Sequence, residues 1–394
     1  MVEATAPRAT GSDEFWRAFG ERLRDVLDLE TWGPGEDLAR LYQRLETEVG
    51  DALAQESRIA AYLRAEVLPR LAARQAAPPG AGIFRVTPAQ VARVHTGLLF
   101  PGAVEACDGA MAALDTLPVA IAQVGVGLVS YRGDQGTWVQ RLFRRDLRLT
   151  GDDPAEEARQ LLEARTRRGG LGRDERRDTL NQLVRRGLMS YAERAALVRH
   201  STARWRVGHG VPVPLELLTG SGSPDLLAAS LDVLNELITG HRRFLYVPSE
   251  PRESVLITLG HALRPLEFAV VETARDRLEA MSDRSFPMGP ALAARRRAFV
   301  EEVGDRIALG VFRASRAAPP HLFYAHVDHI HEAGLIAIAD SALQEHRGFP
   351  LLIDLAETIC RAAFGAELFN ATAQAVYTAH GAPFRFMSER LSRP

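Results

Sequence analysis

Apolar residues recur at three- and four-residue spacing through positions 13–75, in FWRAFGERLRDVLDL, DLARLYQRLETEVGDALAQ and ESRIAAYLRAEVLPRLAARQ. That spacing predicts amphipathic helices. Two stripes stand out, Phe15, Phe19, Leu23, Val26 and Leu27, then Leu38, Leu41, Leu45, Val49 and Leu53. They can be buried on the chain's own core, on a second copy or on another protein. The segment Ala76-Ala77-Pro78-Pro79-Gly80-Ala81-Gly82 interrupts the pattern and reads as a linker. Beyond it, β-rich segments predict strands at 102–106, 119–131, 211–218, 244–247, 267–271, 307–312 and 322–326. Helical spacing predicts helices at 154–166, 174–186, 191–201, 224–239, 253–263, 291–302, 333–344 and 350–363. The pattern is that of a mixed α/β core, residues 83–394, behind a helical N-terminal module with its linker, residues 1–82. No internal repeat is visible.

With 394 residues, 46% of them hydrophobic, the chain can bury one large core or two ordinary ones. Its formal charge of -2 gives no global basic character that would announce a nucleic-acid partner. All 48 cationic side chains are arginine, a planar fork suited to phosphate and carboxylate. The 2 cysteines, Cys107 and Cys360, lie far apart, which argues for a reducing compartment and against a structural zinc site. Charges at Asp13, Glu14, Arg17, Glu21 and Arg22 exclude an apolar leader, and no apolar run is long enough to span a bilayer. A cytoplasmic protein is expected.

Four segments carry candidate chemistry. Val104-Glu105-Ala106-Cys107-Asp108-Gly109-Ala110 places an acidic residue and a glycine between two apolar runs. Asp-Gly in that setting is either a hairpin turn or a carboxylate held at the lip of a sheet, within reach of a hard divalent cation. Arg165, Arg167, Arg168, Arg173, Arg176 and Arg177 form a glycine-interrupted cluster that Arg185, Arg186, Arg194 and Arg199 extend. It is a solvated charged loop or a rim for phosphates. His326-Val327-Asp328-His329-Ile330-His331-Glu332 has metal-ligand residue types, but on a strand His329 and His331 share a face that Asp328 does not, so a hydrogen-bonded edge is favoured. GVGLVSYRG lacks the following helix that a nucleotide-binding loop requires, and Cys360 reads as a buried thiol.

The order of these pieces resembles the bacterial NurA family, DNA-end-processing nucleases that work with a hexameric HerA translocase. The resemblance covers roughly residues 95–390. Cys107-Asp108-Gly109-Ala110 followed by LPVAIAQVGVGLVSY is similar to the family's Asp-Gly-Ser-like turn and long apolar strand. Tyr191-Ala192-Glu193 matches the acidic helix, and Pro214-Leu215-Glu216-Leu217-Leu218-Thr219-Gly220-Ser221 stands where a strand ends in a second Asp-Gly-Ser. LYVPSEPRESVLITLGHAL, Asp283-Arg284-Ser285 and Gly348-Phe349-Pro350 through Ala356-Glu357 resemble the remaining family segments.

The resemblance implies a ribonuclease-H-like core sheet with flanking helices. It also implies a homodimer around a DNA channel, a HerA-type hexameric ATPase partner and Mn²⁺- or Mg²⁺-dependent hydrolysis of DNA in double-strand break repair. Asp108 and Glu193 fall on its motif positions. Glu216 joins them as a metal ligand, and Glu357 as a catalytic carboxylate in place of the family histidine. Arg167, Arg168, Arg173, Arg176, Arg177, Arg194 and Arg199 would hold backbone phosphates. Three departures, Thr219 for aspartate, Phe349 for tyrosine and Glu357 for histidine, fit a second outcome: a NurA-like DNA-binding or adaptor subunit without catalysis, serving phage defence.

Overall fold

The computed structural model describes residues 12–33, 38–115, 119–133, 138–146, 155–156, 159, 183–250, 254–283 and 288–383. The chain divides into two compact units, Met1–Ile59 and Ala60–Pro394. In the first, α1 (Ser12–Phe19), α2 (Leu23–Val26) and most of α3 (Leu38–Tyr62) form where the helical spacing predicts them. Among its described residues none is buried. The stripe of Leu38, Leu41, Leu45, Val49 and Leu53 stays 47–57% exposed.

The second unit is built on one 9-stranded sheet, in the order β1-β7-β8-β9-β6-β5-β2-β3-β4. The strands are β1 (Gly82–Arg85), β2 (Val104–Asp115), β3 (Val119–Val129), β4 (Trp138–Asp146), β5 (Trp205–His209), β6 (Phe244–Val247), β7 (Glu267–Thr273), β8 (Ile307–Arg313) and β9 (His321–His326). β2, β3 and β4 form an antiparallel meander, while β5 and β6 run parallel to β2 on its other side. That order and direction make β2 to β6 a ribonuclease-H-like sheet. β9, β8, β7 and β1 extend it, each antiparallel to its neighbour.

Helices cover both faces, so the central strands are apolar on both sides rather than alternating with polar residues. Phe244 and Tyr246 enter one core, with α5 (Met189–Arg199), α7 (Pro224–Asn235), α8 (Ser254–His261) and α10 (Pro290–Val303). Leu245 and Val247 enter the other, with α4 (Pro88–Val94), α11 (Ile330–Ser341) and α12 (Leu351–Phe364). Short helices α6 (Leu215–Leu218) and α9 (Arg275–Ser282) and the C-terminal α13 (Ala366–Ala379) complete the described set. Local chemistry fixes several starts. Thr87 and Gln90 form a capping box ahead of Pro88, and Ser223 caps α7 ahead of Pro224. The N-terminus of α12 is held by a buried carboxylate, Asp340 Oδ2, which accepts from Leu352 N at 3.0 Å.

Three local expectations are corrected. Asp108-Gly109 is not a hairpin turn between short strands: both residues lie inside the 12-residue β2, with Asp108 opposite Gly127 of β3. Residues 211–218 are not a strand. β5 comes earlier, at 205–209, and Leu215–Leu218 is helical, with Thr219 donating its hydroxyl to Leu215 O at 2.8 Å. The histidine-rich segment leaves its strand at His326, and 327–329 is a turn leading into α11. Its groups are held by backbone partners: Asp328 N donates to His326 Nδ1 at 3.2 Å, and His331 Nε2 lies 3.0 Å from O of Gly80, far away in sequence. The helices expected at 154–166 and 174–186 fall mostly outside the described residues.

Candidate active site

β2 is packed on both faces, by α5 on one side of the sheet and by α12 on the other. Successive side chains point to opposite faces. Cys107 and Gly109 face α5, with Cys107 Sγ donating to Glu193 O at 3.4 Å. Asp108 and Ala110 face α12, where Ala110 packs with Cys360 and Phe364. Cys360 Sγ in turn donates to Asp108 O at 3.1 Å. Both cysteines of the chain therefore hold a backbone carbonyl of a candidate site residue.

Gly109 gives the Asp-Gly pair a purpose other than turning. A Cβ at this position would stand 2.8 Å from Glu193 Oε1 and 2.8 Å from Met189 Cγ. Only glycine lets the carboxylate of α5 come down onto β2 close to Asp108. Glu193 reaches it as one half of a buried ion pair, with Arg194 Nη1 2.5 Å from its Oε2. Neighbours on a helix normally diverge. Here the guanidinium is fixed in place by three backbone carbonyls, Val211 O at 2.6 Å, Ser190 O at 3.2 Å and Pro212 O at 3.5 Å. It also lies over the Tyr246 ring, 5.2 Å from the centroid. That ring has space because Gly208, opposite it, carries no side chain; a Cβ there would meet the ring at 2.2 Å.

β5 contributes the group that the sequence pattern does not single out. Gly208 pairs with Cys107, so the next residue, His209, stands beside Asp108 on the α12 side. His209 Nδ1 is 3.8 Å from Asp108 Oδ2 and its Nε2 is 2.9 Å from Ser249 Oγ. Its ring meets Phe349 edge-on, with centroids 6.1 Å apart. The signal in the sequence is the alternation of Trp205-Arg206-Val207-Gly208 ending in His209-Gly210, with Gly210 left-handed at φ 81. The stronger apolar run that follows, which reads as a strand, obscures it.

The electrostatics follow from burial. Asp108 is only 5% exposed and its carboxyl is pushed up, mainly by desolvation, with His209 and the Gly109 N–H (2.8 Å from Oδ1) pulling it back and Glu357 pushing it further up. Glu193 is raised to about 7, by burial first, with Arg194 opposing and the charges of Asp108 and Glu216 adding to the rise. Burial drives the Cys107 thiol well up and that of Cys360 to about 12, so both stay protonated donors.

The expected site residues thus divide into three groups. Asp108 on β2 and Glu193 on α5 are within Coulombic reach of each other, Glu357 on α12 is within such reach of Asp108, and Glu216 in the first turn of α6 is within reach of Glu193. Glu357 also pairs with Arg361 one turn on, at 2.9 Å. Arg194 is not a surface cation for phosphate, being 3% exposed and committed to Glu193 and to carbonyls. Arg199 is exposed, with Nη2 donating to Tyr191 Oη at 3.3 Å. Arg167, Arg168, Arg173, Arg176 and Arg177 lie outside the described residues. Among the described residues, no group of three or more His, Cys, Asp or Glu side chains is arranged to hold a metal ion. No described helix is long and apolar enough to cross a membrane.

No family model and no curated protein matches this chain in sequence. Among solved structures it is similar to the NurA nuclease from Sulfolobus solfataricus, at 10% identity and a TM-score of 0.43, over 86% of this chain and 98% of that one. A NurA structure with manganese matches to the same extent. A NurA structure bound to dAMP and manganese matches at 10% identity and a TM-score of 0.36, over 68% of this chain and 88% of that one.

Proposed function

We propose that this chain is a nuclease, a phosphodiester hydrolase acting on DNA, with its centre at Asp108, Glu193 and His209. One observation carries the reading. Two carboxylates are buried within Coulombic reach of each other at β2, their pKa values raised, with an imidazole against one of them. Burying like charges together destabilises a fold, and such groups gather where proton transfer is needed. Phosphodiester hydrolysis needs a base for the attacking water and a proton for the departing oxygen. His209, partly exposed and backed by Asp108, is positioned for the first task. Glu193, able to hold a proton near neutrality, suits the second. Glu357 and Glu216 add negative charge at the margin of the centre.

The sequence resemblance also implies Mn²⁺ or Mg²⁺. The donor types suit a hard cation, but their arrangement does not, because Arg194 already holds Glu193 and, among the described residues, no three such side chains converge. As arranged, these residues do not fit the ion. The same resemblance supports a DNA end as substrate, a homodimer as the working assembly, a HerA-type ATPase as partner and break repair as the setting. A second reading, a DNA-binding subunit without hydrolysis, is favoured by the Arg194–Glu193 pair. Degradation of linear duplex and single-stranded DNA, with and without Mn²⁺ and with and without the ATPase partner and ATP, separates the two. Hydrolysis lost in Asp108→Ala supports the nuclease, and DNA retention without cleavage under every condition supports the binding subunit.

A further inference from the structure

The proposed centre has its positive charge built in. Arg194 is among the most deeply buried ionisable side chains of the described residues, at 3% exposure. Its guanidinium is held on several sides: Glu193 Oε2 at 2.5 Å, Val211 O at 2.6 Å, Ser190 O at 3.2 Å and Pro212 O at 3.5 Å. The Tyr246 face closes one more side. A guanidinium fixed by backbone carbonyls of two separate segments does not swing away as a surface arginine does. Removing it would leave Glu193 buried and unpaired, which is strongly unfavourable. Its charge acts on Glu193 and also reaches Asp108 on the neighbouring strand. Two buried carboxylates within Coulombic reach of each other ordinarily need a cation to be tolerated, and this pair has one built in.

We infer that Arg194 takes the place of a divalent cation in this centre, a positioning residue that holds Glu193 over Gly109 and neutralises the carboxylate pair. The inference rests on the proposed function for the meaning of the site. Its test does not, because it reads ion binding in the absence of DNA. Native protein, Asp108→Asn, Glu193→Gln, Arg194→Gln and the double variant Arg194→Gln/Asp108→Asn are titrated with Mn²⁺ alone. Free ion is followed by its electron paramagnetic resonance signal, and folding of each variant by circular dichroism. Native, Asp108→Asn and Glu193→Gln should bind Mn²⁺ alike. Arg194→Gln should gain a site at least tenfold tighter, lost again in the double variant. Native binding that Asp108→Asn or Glu193→Gln weakens tenfold would overturn the inference, as would a folded Arg194→Gln that gains nothing. Should Arg194→Gln fail to fold, the comparison of native with Asp108→Asn and Glu193→Gln decides alone: equal binding supports the inference and unequal binding overturns it. Absence of DNA hydrolysis in the native protein would count against the nuclease reading and leave these ion titrations untouched.

Discussion

Gly109→Ala is the smallest change that tests how the centre is assembled. The backbone at 109 is ordinary extended strand, so alanine meets no conformational barrier there. Restricting the unfolded chain would by itself stabilise the protein by about 0.4–1 kcal/mol. Against that gain stand two contacts at 2.8 Å, to Glu193 Oε1 and Met189 Cγ, and one at 3.4 Å to Glu193 Cγ. Overpacking of this kind costs about 1–3 kcal/mol. If the carboxylate yields instead, the buried pair with Arg194 opens, and breaking such a pair costs about 3–5 kcal/mol. Either route exceeds the entropic gain, so Gly109→Ala should be destabilised by about 1–4 kcal/mol in urea unfolding, and hydrolysis should fall with it. Gly50, on the exposed α3, is the control, because the methyl that alanine adds there would have nothing within 4 Å. At that position alanine should stabilise by up to about 1 kcal/mol. A Gly109→Ala protein as stable and as active as the native chain would refute the placement of Glu193 over β2.

Three further outcomes follow from the structure. Burial raises the Asp340 carboxyl from 3.8 to about 6, so the folded chain holds a proton there that the unfolded chain has released. Its contribution to stability is complete only well below pH 3.8 and is lost as pH rises through about 6, a change of about 2 kcal/mol between pH 4 and pH 7 that Asp340→Asn should remove from unfolding free energies in urea compared at those two pH values. Arg64→Ala strips a nearly buried carboxylate, Glu267, of a partner at 2.9 Å and should cost about 3 kcal/mol in the same assay, whereas an unchanged midpoint would show that Arg264 N, at 2.8 Å, satisfies it alone. Glu357→Gln, which breaks only a half-exposed pair with Arg361, should leave the midpoint within about 1 kcal/mol, while lowering the rate tenfold or more if Glu357 serves the centre; an unchanged rate removes it from the site.

Much of this fold is legible in the sequence because its strands and helices obey simple periods. Phe244–Val247 is placed to the residue, and the helices beginning near Pro224, Pro290 and Leu351 are announced by a proline at or just before the first turn. Asp108 and Glu193 stand out in the sequence as a pair, and the structure brings Glu193 over Gly109, next to Asp108, although not at the turn that the Asp-Gly pair suggests. Asp-Gly looks like a turn because local statistics see only neighbours in sequence. What gives Gly109 its purpose is a carboxylate 84 positions away, which no local pattern reports. β5 escapes the pattern because its alternation is only five residues long and is followed by a stronger apolar run, and β4 because it is an edge strand with exposed arginines at 141 and 144. Arg194 looks like one more cation in a basic run. Only tertiary structure shows that the Val211 and Pro212 carbonyls turn it inward.

The most direct test of the proposed function is the rate at which purified native protein degrades a labelled linear DNA, duplex and single-stranded, beside Asp108→Ala and His209→Ala proteins shown to be folded. Loss of a positioned acid–base group lowers rates by roughly 10²–10⁴-fold. Asp108 contributes a buried charge more than packing, so Asp108→Ala should keep the native fold while losing at least a hundredfold in rate, and His209→Ala should fall with it. Equal rates in the native protein and in both variants, or no cleavage by the native protein with Mn²⁺, the ATPase partner and ATP all supplied, would contradict the account.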